Sequence, residues 1–275
     1  MKDIEGYRQA GKDLFDRLHL ATYPVAIKYV KDPPEFEPGV MRPSANGQKL
    51  SLCQAFTYSR RWGATVGMAE EDNFCVPSTV WHRWVDIPWE DLVQSQIRQG
   101  WHRDEEAERK RCNYILEMMG EGNLAKAAEY IGFISSPLPS TVVVPDTVLL
   151  YGNAENVTHI IQALAYGGEH FPTSPFEGFG ESCMKGGLIP FITGIPQIVI
   201  PGMGDRAFSG TYDHEIAIGF PGTLLPTVME DLFQTGGRLN MGLPVRTLLP
   251  TGITESITPG FQYLRDRVEE SKGLR

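Results

Sequence analysis

Short β-rich runs alternate unevenly with longer amphipathic segments along this chain, and glycine or proline closes nearly every one. Apolar residues at helical spacing open the chain over 3–19, through Ile4, Tyr7, Leu14, Phe15 and Leu18. A β-rich run follows at Tyr23–Val30, then a proline-rich loop over Asp32–Pro43 and a helix from Ser51 or Cys53 to Arg61. Ala64–Met68 reads as a strand. Trp89–Gln99, Asp104–Met119 and Asn123–Ile131 read as three helical segments of one block that ends at Pro137. Thr141–Val144 and Thr147–Tyr151 are expected strands, and Asn153 caps a helix over Glu155–Tyr166 that stops at Gly167-Gly168. Gln197–Ile200 and Glu215–Phe220 are strands around a turn-rich Gly202–Asp213, and helices at Leu225–Thr235 and Gly260–Lys272 close the pattern.

This order implies an α/β or α+β fold, a mixed sheet with flanking helices, in a single unit over 1–275. A strand–Cys–helix–strand pattern recurs around Cys53 and Cys183, so 1–140 and 141–275 are candidate halves of an internal duplication. With 41% hydrophobic and 21% charged residues, the chain has enough apolar side chains for a core of that size. Its 29 glycines and 20 prolines favour tight loops in which backbone amides can approach a ligand.

A net charge of −9 with no isolated basic cluster argues against a nucleic-acid partner. The densest charge run, Arg103–Arg111, mixes both signs and reads as a solvated helix face. No apolar run approaches the ~20 residues of a membrane span, and the N-terminus has no signal-type apolar core. The expectation is a cytoplasmic protein with reduced cysteines and no membrane partner.

Four cysteines are present, Cys53, Cys75, Cys112 and Cys183, none in a Cys-x-x-Cys pair. Cys112 shares a helical face with Ile115 and Met119 and reads as a core thiol. Cys53, Cys75 and Cys183 sit at loop–helix junctions, where three thiols from distant positions could converge. Soft thiolates suit iron–sulfur or zinc, and three protein ligands leave a position open. Three unrelated thiols are the alternative. Gly202 and Gly204 frame a Gly-x-Gly loop for an anion, with Asp205 and Arg206 to orient a polar ligand and His214 and Glu215 to handle protons. A turn capped by an Asp–Arg pair is the plainer reading. The tryptophans cluster between Trp62 and Trp101. Trp81 and Trp84 form either a local aromatic core or a stacking wall for a cofactor.

Leu52-Cys53-Gln54-Ala55-Phe56, Cys75, Ser182-Cys183, Gly204-Asp205-Arg206 and Asp213-x-Glu215 together resemble the Domain of Unknown Function 169 family, in order, from about Leu18 to Gly236. That family is widespread in anaerobic archaea and bacteria, so the resemblance implies a cysteine pattern without a reaction. Members have Cys-Pro at the second cysteine where this chain has Cys75-Val-Pro77, and many carry a further cysteine where it has Pro201-Gly202. These departures favour an open three-thiolate site over a closed four-thiolate one. The leading expectation is a redox-type metalloprotein with an iron–sulfur centre on Cys53, Cys75 and Cys183, acting on a small polar molecule with an electron-transfer partner, and forming a homodimer. A non-catalytic small-molecule or cofactor-binding protein, and a metal-free enzyme with a cysteine nucleophile, are the alternatives.

Overall fold

The computed structural model describes residues 3–33, 36, 39–174, 176, 178–179, 181–235 and 259–273. The chain opens with α1 (Ile4–Arg17), which Asp3 caps by accepting from the Gly6 N–H, and enters strand β1 (Val25–Val30). Helix α2 (Leu52–Trp62) leads to β2 (Val66–Ala69) and a short α3 (Val76–Trp81). Helices α4 (Trp89–Gln99), α5 (Glu105–Met119) and α6 (Glu121–Ala127) precede β3 (Gly132–Pro137). Then come β4 (Thr147–Gly152), α7 (Ala154–Ala165), a π-helix over Ser182–Leu188 and α8 (Ile189–Thr193). The remaining elements are β5 (Gln197–Val199), α9 (Met203–Ser209), β6 (Ile216–Pro221), α10 (Leu225–Asp231) and α11 (Pro259–Gly273).

The strands form one six-stranded sheet in the order β2-β3-β1-β4-β6-β5. The class is the expected α/β one, but every ladder is antiparallel, so the sheet is more uniform than a mixed one. Both faces are covered. Val148, Leu150, Ile218 and Phe220 point into a core shared with α1, α7 and α10. Ile27, Tyr29, Leu149, Tyr151 and Phe133 point the other way, under α2, α3, α4 and the π-helix. Strands buried on two faces carry apolar side chains at successive positions, which is why β1 and β4 lack polar alternation.

The sheet order is palindromic. β1 and β4 meet at its centre, and each is followed outward by the third and then the second strand of its own half. Val25 faces Pro137 as Thr147 faces Pro221, and Val66 faces Ser135 as Gln197 faces Gly219. Parallel bridges join Met41 to Val66 and Thr173 to Gln197 in the same relation. Pro137 and Pro221 each run into a 3₁₀ turn, Leu138–Ser140 and Gly222–Leu224. Cys53 and Cys183 accordingly occupy the first turns of the two helices that precede β2 and β5. Tyr29, opposite Phe133, and Tyr151, opposite Ala217, occupy matching places beneath them.

Three local expectations are corrected. Thr141–Val144 is not a strand: the Thr141 hydroxyl accepts from the Val143 N–H at 3.2 Å and donates to its carbonyl at 2.8 Å, folding the run into a turn. The helical block does not extend to Pro137, because residues 132–137 are pulled between β2 and β1 as β3. Residues 203–209, expected as turn, form α9, whose last residue is held to α2 by the Thr57 hydroxyl donating to Ser209 O at 2.8 Å. No helix among the described residues is long and apolar enough to cross a membrane.

Candidate functional site

The site begins with the cap of α2. The Ser51 hydroxyl accepts from the Gln54 N–H at 3.2 Å, and the Gln54 side chain accepts from the Ser51 N–H at 2.9 Å, a reciprocal capping box. That fixes Cys53 in the first turn, buried, with its sulfur 3.0 Å from the Ser51 hydroxyl and 4.0 Å from Gly204 O. Cys75 caps α3 after the acidic 3₁₀ turn Glu70–Asp72. The Asn73 side chain brackets its backbone, accepting from Cys75 N and donating to Cys75 O, both at 3.0 Å. Cys183 lies in the first turn of the π-helix, a rare element that often marks functional sites.

Asp205, at the start of α9, ties these pieces together. It is fully buried and accepts from the Ser182 N–H at 3.0 Å and from the Ser182 hydroxyl, while the Tyr151 hydroxyl donates to Ser182 Oγ at 2.7 Å. Burial raises the Asp205 carboxyl to about 6, although both Ser182 hydrogen bonds pull it down. The Cys53 thiol is pushed up to about 12 by burial, with Asp205 and Cys75 adding to the effect. Burial, then Cys53, Asp205 and Cys75, raise the Cys183 thiol well above its ordinary value. Each thiol thus lies within electrostatic reach of the others, and without a compensating cation Cys53 and Cys183 are neutral at physiological pH.

Cys53, Cys75 and Cys183, drawn from distant parts of the chain, lie within electrostatic reach of one another, and Cys53 and Cys183 also of Asp205. Among the described residues, however, no three His, Cys, Asp or Glu side chains are spaced to hold a single ion. The donor chemistry of thiolates suits a soft metal. A nitrogen donor is also close. His82 is buried, holds Nδ1 at 2.8 Å from Ser78 O, and lies within hydrogen-bonding reach of the Cys183 backbone. Burial lowers its pKa to about 4, so the ring is neutral.

The other candidates divide. Gly202 caps α9, and Gly204 presents its carbonyl to Cys53. Glu215 is engaged by Arg60 at 2.6 Å, by Arg61 at 3.3 Å and by the Tyr212 N–H at 2.7 Å. Arg206 donates to Pro201 O at 2.9 Å and pairs with exposed Asp213 at 2.6 Å, and His214 stacks on Tyr212. Trp81 is core, edge-on to Trp89 at 4.8 Å, and partly buried Trp84 packs on Phe133. Ser51, Ser182, Tyr151, Arg60 and His82 escaped the sequence reading. Their one signal is a serine one or two residues before each of two cysteines.

Cys112 is fully buried on α5 with Ile115 and Met119, its sulfur 3.8 Å from a Glu108 carboxylate oxygen. Cys112→Ala is expected to leave any bound metal unchanged and to cost about 1 kcal/mol in a denaturant melt. Loss of metal from that variant would place the wrong thiol in the core.

A sequence model of the family described as "Uncharacterised ArCR", Domain of Unknown Function 169, matches residues 13–231. An uncharacterized protein of Methanocaldococcus jannaschii is 22% identical over 232 residues, covering 83% of this chain and 94% of the relative. No solved structure matches the chain. With the match running from α1 to the end of α10 and enclosing Cys53, Cys75 and Cys183, the chain belongs to the Domain of Unknown Function 169 family.

Proposed function

We propose that this chain is a redox-type metalloprotein carrying an iron–sulfur centre on Cys53, Cys75 and Cys183, with one position open to a small polar substrate. What supports the reading is that the three thiols lie within electrostatic reach of one another, Cys53 and Cys183 also within reach of buried Asp205. When bound, such a centre supplies electron transfer or Lewis-acid chemistry at its open iron. The chain's own part is to hold and shield it. Ser51 and Asn73 fix the first two cysteines, and the Tyr151–Ser182–Asp205 chain fixes the segment that bears the third. Asp205, titrating near neutrality, can take up a proton as the neighbouring thiols lose theirs. The raised thiol pKa values weigh against a metal-free cysteine nucleophile, which needs a lowered one.

Anaerobic purification followed by iron and acid-labile sulfide analysis and a visible absorption spectrum tests this. Wild type is expected to contain both, and Cys53→Ala, Cys75→Ala and Cys183→Ala are each expected to lose most of the absorption. A colourless wild-type protein that also fails to take up iron and sulfide on reconstitution overturns the reading.

A further inference from the structure

We infer that the groove between α2 and α9 is a binding site for a planar aromatic anion. The groove encloses about 530 Å³, within the range of small-molecule pockets. Its walls are rings: Tyr58 and Trp62 from the last turns of α2, Phe208 from α9, and Tyr212 from the turn after it. Trp62 is 65% exposed, and Phe208 and Tyr212 are 55% exposed. Large side chains scattered singly over a surface need no explanation, but three left open around one cavity make a contiguous apolar patch of the kind that marks ligand sites.

The charge at the floor selects the ligand's sign. Among the described residues that line the groove, Arg61 is the one that carries a charge, and it shares its partner Glu215 with Arg60. Arg61 lies with Cζ 4.4 Å from the Tyr212 ring centre, and Nη2 reaches Gly210 O at 3.1 Å and Glu215 at 3.3 Å. Its Nη1 carries no hydrogen bond among the described residues. A guanidinium placed over one ring offers a donor to a carboxylate whose own ring would lie between Trp62 and Phe208. Gln54, which also lines the groove, follows Cys53 directly, so the ligand would lie over the α2 end of the thiol site. Ring exposure, cavity size and the Arg61 charge favour this ligand whether or not a metal is held below.

Calorimetric titration of the full-length protein with 1-naphthoate, and with 1-naphthalenemethanol as its uncharged counterpart, tests the inference. Wild type is expected to bind one equivalent of 1-naphthoate, at least roughly tenfold more tightly than the alcohol. Phe208→Ala, at an exposed position that tolerates truncation, is expected to weaken both ligands about tenfold. Arg61→Gln is expected to remove the preference for the anion while leaving alcohol binding within about twofold. Should Arg61→Gln not fold, loss of the anion preference at high salt in wild type replaces it. No saturable naphthoate binding, or binding that neither Phe208→Ala nor charge removal alters, overturns the inference. Iron and sulfide content, measured on the same samples, reports separately on the metal centre.

Discussion

Arg60→Ala is expected to destabilise the protein by about 3 kcal/mol at neutral pH, because it strands Glu215 as a buried carboxylate. Arg60 has no exposed side-chain surface, grips both Glu215 oxygens at 2.6 and 3.2 Å, and lies with Cζ 4.1 Å from the Tyr151 ring centre. Removal therefore leaves an unpaired charge, a lost cation–π contact and a cavity together. The figure sits at the low end for a broken buried pair, since Arg61 and the Tyr212 N–H still reach Glu215. The pH dependence has a definite sign. Burial alone would raise the Glu215 carboxyl, but the Arg60 hydrogen bonds, with the Tyr212 N–H and the Arg61 charge, hold it below its ordinary value of 4.5. A lowered folded-state pKa gives stability that is fully present above the unfolded value and is lost as pH falls through the folded one. Without Arg60 the Glu215 pKa rises and the variant can protonate it in mild acid. Urea melts should show the gap between wild type and Arg60→Ala narrowing from pH 7 toward pH 4. A gap independent of pH would mean that packing, not the stranded charge, sets the cost. The double variant Arg60→Met with Glu215→Leu is expected to recover part of the loss, since Glu215 no longer leaves a stranded charge, while Asp205 still lacks the Arg60 charge that lowers its carboxyl.

Sequence pattern was a good guide where local chemistry decides structure. Ser51 and Gln54 spell a capping box, and the start of α2 lies within two residues of where it was expected. Asn153 did the same for α7. Local chemistry misleads where tertiary pairing decides. Residues 132–137, Gly-Phe-Ile-Ser-Ser-Pro, have little β-preference, and they are extended because β2 and β1 sandwich them and Ser135 finds the Ser59 hydroxyl at 2.9 Å. Thr141–Val144 has the opposite character, β-branched throughout, yet it has no partner strand and leaves Val142 and Val144 exposed. The three thiols could be nominated from their positions at helix starts, and Cys112 set aside from its apolar stripe. The carboxyl among them was nominated only as part of a loop. That Ser182 and Tyr151 would support Asp205 depends on the π-helix meeting α9 in space, which no spacing in the chain encodes.

Gly219→Ala should do the most damage for the fewest atoms, costing about 3 kcal/mol or more and removing the proposed metal centre together with the stability. Gly219 lies in β6 between Leu149 and Gln197, directly beneath the π-helix. A Cβ there would stand 1.8 Å from Gly186 O, 2.6 Å from its carbonyl carbon and 2.8 Å from its Cα. All three neighbours are backbone, so no side chain can rotate away and the π-helix itself must lift. Gly186 has little room to follow, since its own Cβ position is 2.7 Å from a Leu149 methyl. Cys183 rides on that helix, held through Ser182 to Asp205, so displacement of Gly186 moves the third sulfur away from Cys53 and Cys75. Gly122→Ala, in α6 with nothing within 4 Å of the new methyl, is the control and should not destabilise. Thermal melts and iron content of both variants decide the matter. A stable Gly219→Ala protein would show that the close approach of β6 to the π-helix is not what seats Cys183. A destabilised variant that still binds iron and sulfide at wild-type levels would separate the fold's tightest contact from its candidate site.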